Sequence, residues 1–248
     1  MGARVITETA VWRFCIDRPT RRNAIDSDTA LQLSYMLREA DVGGRCAVGV
    51  LYGQGGWFCA GSDLKELAGQ DPARMAEIEA HKAELARTIQ QVDMPVIAAV
   101  SGFALGGGVS IAAACDYVVS DPSARWHMPE VLNGWLPPWG ISPVVARCGP
   151  VRARHVLWGR EALTAEQALA IGLVDRLAAD GAALDESLAL AAELAALPRA
   201  AQASVKPYLR SAEARAPETA DLVATRSFVE NCHSPEARRT LARFGGVA

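Results

Sequence analysis

Residues 94–115 carry no charged side chain, a run long enough to cross a bilayer as a helix. Its interior speaks against that reading. Pro95, Gly102 and the triplet Gly106-Gly107-Gly108 punctuate it, Ser101 and Ser110 add hydroxyls, and aspartates (Asp93, Asp116) rather than basic residues flank it. The pattern predicts a buried strand at 96–100, a glycine turn, and a small-residue helix through Val109-Ser110-Ile111-Ala112-Ala113-Ala114. A helix that opens on glycine presents unspent amide N–H groups and its positive dipole end at the turn. A second small-residue run, Cys59-Ala60-Gly61-Ser62-Asp63-Leu64-Lys65, lies upstream. Two backbone stretches without bulky side chains can aim N–H donors at one developing negative charge, which is what an oxyanion hole requires. Taken singly, either run also reads as an ordinary strand-to-helix junction.

Short β-branched runs at 5–9, 11–17, 46–52, 96–100 and 117–119 alternate with helical patterns. That alternation predicts an α/β fold around a largely parallel sheet. A helix over 28–40 places Leu31, Tyr35 and Met36/Leu37 on one side. Asp71-Pro72 reads as the N-cap and first-turn proline of a long helix, with Met75, Ile78, Leu85, Ile89 and Val92 at helical spacing. Beyond residue 180 only helical patterns remain, with starts at Ala216-Pro217-Glu218 and Ser234-Pro235-Glu236.

A chain of 248 residues can bury a substantial core as one large domain or a core with an appended subdomain. Its net charge of −3 favours neither nucleic acid nor an anionic membrane surface as partner, so a phosphorylated ligand would need a local group of Arg or Lys. Six cysteines are scattered without a C-x-x-C pair or a histidine at metal-ligand spacing, which points to reduced thiols, no metal site and a cytoplasmic setting. Charged residues among the first twenty (Arg4, Glu8, Arg13, Asp17, Arg18) exclude a secretory apolar segment there.

Several stretches resemble the crotonase (enoyl-CoA hydratase/isomerase) superfamily in order and spacing. They are Asp17-Arg18-Pro19 with Asn23-Ala24-Ile25, Phe58 through Lys65, Met94 through Gly108, Cys115-Asp116, Met128-Pro129-Glu130-Val131, Leu157-Trp158-Gly159-Arg160 and Ala168 through Asp175. The resemblance implies a crotonase-like spiral of ββα units (1–195) carrying the site, and a C-terminal helical subdomain (196–248) that covers it and builds trimers or hexamers. It also implies an acyl-CoA thioester substrate, with coenzyme A as part of the substrate and no tightly bound cofactor.

By position, the amides of Ser62 and Gly107 match the family's oxyanion-hole donors, and a backbone role tolerates serine at 62 where alanine is commoner. Glu130 matches the family's acid/base residue. Its apolar neighbours Trp126, Met128, Val131 and Leu132 would raise its pKa toward neutrality, although locally it also reads as a surface glutamate. Ser110 stands where two-carboxylate hydratases carry a second glutamate. A hydroxyl there either bonds back to its own helix or positions a water. Hydroxycinnamoyl-CoA hydratase-lyases and Δ3,Δ2-enoyl-CoA isomerases of the family retain only the Glu130-type residue. Asn133-Gly134-Trp135-Leu136-Pro137-Pro138-Trp139-Gly140 departs from the usual glycine-rich loop; Trp135, Pro138 and Trp139 would wall the acyl pocket or simply pack in the core. His127 would bond either near Glu130 or to the backbone. For coenzyme A, the resemblance implicates Arg22, Ala24, Ala60, Ser62, Asp63, Leu64 and Lys65, with Arg18, Arg21 and Lys206 as further phosphate candidates.

The reaction expected is hydration of an enoyl-CoA through a stabilised enolate, with or without subsequent retro-aldol cleavage. Isomerisation between double-bond positions and decarboxylation are the alternatives within the family. Outside it, Gly108-Val109-Ser110-Ile111-Ala112 falls one residue short of the serine-hydrolase elbow, and Asp175 and His233 follow in triad order. A non-enzymatic or RNA-binding role is opposed by the negative charge and by the retained Glu130.

Overall fold

The computed structural model describes residues 2–8, 10–209 and 217–245. A hairpin opens it, β1 (Ala3–Glu8) pairing antiparallel with β2 (Val11–Ile16). The remaining elements in chain order are α1 (Ser27–Asp41), β3 (Val48–Gly53), α2 (Leu64–Leu67), α3 (Pro72–Gln91), β4 (Val96–Val100), β5 (Phe103–Leu105), α4 (Gly107–Ala114) and β6 (Tyr117–Ser120). They continue with β7 (Arg125–His127), α5 (Glu130–Asn133), α6 (Ile141–Leu157), β8 (Leu163–Thr164), α7 (Ala165–Ala170) and β9 (Arg176–Leu177). Helices α8 (Ala183–Ala195), α9 (Arg199–Leu209), α10 (Pro217–Cys232) and α11 (Pro235–Gly245) complete the described chain.

Two sheets organise these elements. The larger has the order β1-β2-β3-β4-β6-β9 and is parallel from β2 onward; the smaller has the order β5-β7-β8. An isolated parallel bridge, Cys59 to Ala104, extends the smaller sheet toward the segment after β3. The chain thus repeats one circuit: a strand of the large sheet, a segment on the small sheet, then a helix. β3, Cys59 and α3 make one turn; β4, β5 and α4 the next; β6, β7 and α6 the third.

The alternation of side chains along a strand divides the core. Val96, Ala98 and Val100 of β4 face the main core with Leu33, Leu85 and Ile89, whereas Ile97 and Ala99 face a second layer with Val48, Val50, Leu190 and Ala191. Helix α8 therefore covers the far face of the sheet. The uncharged run 94–115 resolves into β4, β5 and α4, and among the described residues no helix is long and apolar enough to cross a membrane. All six cysteines are buried and free, and burial pushes their thiols up, those of Cys46, Cys148 and Cys232 to about 11. No group of three or more His, Cys, Asp or Glu able to hold a metal occurs among the described residues.

Caps form where the sequence places them. Asp71 accepts from the amide of Arg74 at 2.9 Å with Pro72 in the first turn, and Met75, Ile78, Leu85, Ile89 and Val92 are buried. In α1 the expected face is met only in part, by Leu37 and by Met36, which packs against the core. Leu31 and Tyr35 are exposed, and Ala30, Leu33, Ser34, Leu37 and Ala40 are buried. Leu33 and Leu37 of that face enter the main core with Ala30 and Ala40. Helices α10 and α11 begin at the expected prolines; residue 216, the expected cap of α10, lies outside the described residues.

Candidate active site

Both small-residue runs reach the wall of one cavity of about 70 Å³, lined among others by Ser62, Gly107, Ser110, Glu130 and Trp139. Their local folding explains which backbone groups are spare. Ile25 donates its amide to the Gly61 carbonyl (2.8 Å), and Asp63 donates its amide to the Ile25 carbonyl (2.9 Å). That parallel bridge engages residues 61 and 63 and turns the peptide N–H of Ser62 to the opposite side. Gly107 is the first residue of α4, where an amide has no partner within its own helix. A methyl group on Gly107 would lie 3.4 Å from Ser62 N, and one on Gly61 would lie 3.1 Å from Gly107 N. The structure thus brings the two amide-bearing segments into contact across the cavity.

Gly106 makes this close approach possible. It adopts φ 50° and ψ −121°, donates its amide to the His127 carbonyl at 2.7 Å, and faces the carboxyl group of Glu130. A methyl at Gly106 would sit 2.6 Å from Glu130 Oε1, so only glycine satisfies both the backbone and the neighbour.

Glu130 opens α5 directly after Pro129, with its Oε2 buried and without a partner among the described residues. Burial in this apolar pocket pushes its pKa up to about 7; its own backbone amide lowers it, and the negative charge of Glu79 raises it further. Ser110, one turn into α4, is also buried, with an Oγ that has no partner among the described residues. The expected bond back to its own helix is not made: the hydroxyl faces Gly140, where a methyl would lie only 2.1 Å away.

The serine-hydrolase reading is overturned by the same geometry. Ser110 Oγ meets no histidine, Asp175 is engaged by Arg147 and by the amide of Val118 (2.7 Å), and His233 is exposed. His127 bonds the Gly159 carbonyl at 2.9 Å, the backbone role rather than the one near Glu130.

Trp135, Pro138 and Trp139 line the cavity as expected, together with Asn133, Pro137 and Phe228. Trp135 meets Phe228 of α10 edge-on, centroids 6.4 Å apart. The loop 133–140 is clasped by the C-terminal helices: Asn231 Oδ1 accepts from the Leu136 amide at 3.1 Å, and Gly134 (φ 99°) packs against Ala237.

The expected coenzyme A residues differ in exposure. Arg22 and Lys65 are exposed, Ala24, Ala60 and Leu64 are half-buried, and the Ala60 amide donates to the Arg22 carbonyl at 3.1 Å. Arg21 is exposed as well, on the adjoining turn. Asp63 is buried and caps α2 through the Lys65 amide (3.1 Å) while pairing with Arg18 at 3.0 Å. Arg18 also pairs with Asp26 (2.7 Å), so it serves to join these segments rather than to meet a phosphate. Lys206 is likewise corrected: it is buried, donating to the carbonyls of Ile89 (3.0 Å) and Met94 (2.7 Å) and pairing with Asp116 (2.8 Å).

Sequence reading missed Glu79, Lys82 and Phe228. Glu79 lies in the cavity wall, 3 % exposed, and Lys82 beside it is fully buried. The signal was present: both fall within the apolar stripe of α3, where a charged pair is out of place.

Comparison with known proteins agrees with this architecture. The enoyl-CoA hydratase/isomerase family model matches residues 7–245. The chain is 33% identical over 210 residues to the 2,3-dehydroadipyl-CoA hydratase of Escherichia coli K12, covering 84% of this chain and 82% of that one. It is 39% identical over 191 residues to "Probable enoyl-CoA hydratase echA6" of Mycobacterium bovis, covering 76% and 74%. Among solved structures, an enoyl-CoA hydratase from Mycobacterium avium subsp. paratuberculosis superposes with a TM-score of 0.87 at 26% identity, over 97% of this chain and 98% of that one. The chain belongs to the enoyl-CoA hydratase/isomerase family of enzymes and has its crotonase fold.

Proposed function

We propose that this enzyme adds water to the double bond of an enoyl-CoA thioester, with Glu130 as the single acid/base residue. The juxtaposition of the Ser62 and Gly107 amides beside a protonatable Glu130, half-buried with its Oε2 enclosed, carries the reading. The thioester oxygen lies between the two N–H donors, which hold the charge that develops there. Ionised Glu130 takes a proton from water as the water oxygen bonds Cβ, and the double-bond electrons move through Cα onto the thioester oxygen. The enolate then collapses, and Glu130 returns the proton to Cα. One water is consumed, and the carboxylate is regenerated. The Ser110 hydroxyl, in the same cavity and without a partner among the described residues, holds that water. Arg22 and Lys65, both exposed, receive the phosphates of coenzyme A, with Ala24, Ala60 and Leu64 along its pantetheine arm.

The serine at 110, in place of a second carboxylate, supports isomerisation as the second reading, in which Glu130 moves a proton between two carbons. Product analysis with crotonyl-, 3-enoyl-, cinnamoyl- and malonyl-CoA separates the two from each other and from decarboxylation. In either case Glu130→Gln lowers turnover at least about a hundredfold, the usual contribution of general acid–base catalysis. Near-normal turnover in that variant refutes the assignment. We further propose that residues 196–248 act as pocket cover and as the contact surface of a homotrimer or hexamer, which sedimentation analysis would test.

A further inference from the structure

Helix α3 carries a buried ion pair that the mechanism above does not use. Lys82 Nζ lies 2.8 Å from Glu79 Oε1 and 3.4 Å from Glu66 Oε2, and neither Lys82 nor Glu79 reaches solvent appreciably. Buried charge pairs bring little net stability compared with apolar residues of the same size, so one at a cavity wall calls for another reason. The second oxygen of Glu79 supplies it. Oε2 accepts from Trp139 Nε1 at 2.8 Å and from Ser62 Oγ at 3.2 Å. Ser62 bears one of the two amides at the cavity. Trp139 covers the other: a methyl on Gly107 would meet its ring at 2.8 Å. One carboxylate oxygen therefore ties together the two sides of the amide pair.

We infer that Glu79 is a positioning residue for the enolate-stabilising site, fixing Ser62 and the Trp139 ring against Gly107 and so the spacing of the two donors. This rests on the function proposed above. An uncompensated carboxylate so near an enolate would oppose it; Lys82 offsets part of the Glu79 charge and so weakens that repulsion while the geometry is kept. A bond from a rigid helix to both segments also fixes them before substrate arrives, which is where such a site gains its rate.

The test compares Trp139→Phe, Glu79→Gln and the double variant. Trp139→Phe removes the N–H donor but keeps a ring beside Gly107 and leaves the Glu79–Lys82 pair intact, so it stays informative if Glu79→Gln folds poorly. Two quantities are read: kcat and KM on the best enoyl-CoA, and the affinity for acetoacetyl-CoA as its enolate, followed by ultraviolet absorption, against that for butyryl-CoA. Each single variant is expected to lower kcat and enolate affinity roughly tenfold to a hundredfold, with KM and butyryl-CoA affinity changed by less than about threefold. The double variant should lose less than the two single losses multiplied, because the Trp139 bond is one of the two that Glu79 accepts and both variants act on it. Unchanged kcat and enolate affinity in Trp139→Phe, or losses that multiply in the double variant, overturn the inference and leave Glu79 a structural ion-pair partner. A wild-type protein that turns over no enoyl-CoA sinks the proposed reaction instead, and the enolate-affinity comparison still judges Glu79.

Discussion

A carboxyl group that titrates near neutrality inside a folded protein has consequences for both rate and stability. Glu130 stands at about 7 against an ordinary 4.5 because burial penalises its charged form. The hydration proposed requires it ionised, so kcat/KM should rise with pH through about 7 rather than through the usual carboxylate range, and Glu79→Gln should move that midpoint down by removing a neighbouring negative charge. Between pH 4.5 and about 7 the folded protein holds a proton that the unfolded chain has lost, so stability falls as pH rises across that window. Glu130→Gln should therefore stabilise the protein at pH 8 by up to roughly 3 kcal/mol and by little at pH 4, read from urea unfolding at the two values. Equal effects at both pH values would mean the carboxyl is not perturbed. Gly106 offers a steric counterpart. At φ 50°, with Glu130 Oε1 only 2.6 Å from where a methyl would go, Gly106→Ala should cost about 1–3 kcal/mol and displace the proposed acid/base residue, seen as lost turnover and a lowered Tm.

At the level of elements, the sequence is most legible where a local rule decides the outcome. Asp71-Pro72 starts α3, the apolar run 96–100 makes β4, and Gly106-Gly107-Gly108 makes the turn into α4. It is least legible where a neighbour decides. Which large side chains of α1 are buried is set by the core they meet, Leu33 and Leu37 being covered and Leu31 and Tyr35 not, and Lys206 reads as a free cation until the carbonyls of Ile89 and Met94 and the carboxylate of Asp116 are seen to hold it. The site divides in the same way. Ser62, Gly107 and Glu130 sit in motifs, whereas Glu79 and Lys82 gain meaning only because α3 crosses behind Ser62 and Trp139. Breaking that pair from one side should be worse than removing it: Lys82→Met is expected to destabilise by about 3–5 kcal/mol, and adding Glu79→Leu should recover much of the loss. Thermal melts of the three proteins check this, and an equal loss in both variants would contradict it.

For the molecule as a whole, the spiral of strand, small-sheet segment and helix does one thing for the site: it carries consecutive turns past the same point. The segments at 59–63 and 104–107 become neighbours through the Cys59 to Ala104 bridge, although a long helix separates them in sequence. One of the C-terminal helices, α10, adds to the cavity wall through Phe228, buried against Trp135. Phe228→Ala should cost about 3–5 kcal/mol as a cavity and shift preference toward longer acyl chains, measured by unfolding and by kcat/KM across chain lengths. The central claim concerns two backbone amides and one oxygen, and a crystal structure with acetoacetyl-CoA bound tests it directly. The thioester oxygen is predicted within about 2.7–3.1 Å of both Ser62 N and Gly107 N, with Glu130 beside Cα; an oxygen that meets only one of these amides, or neither, would contradict the account.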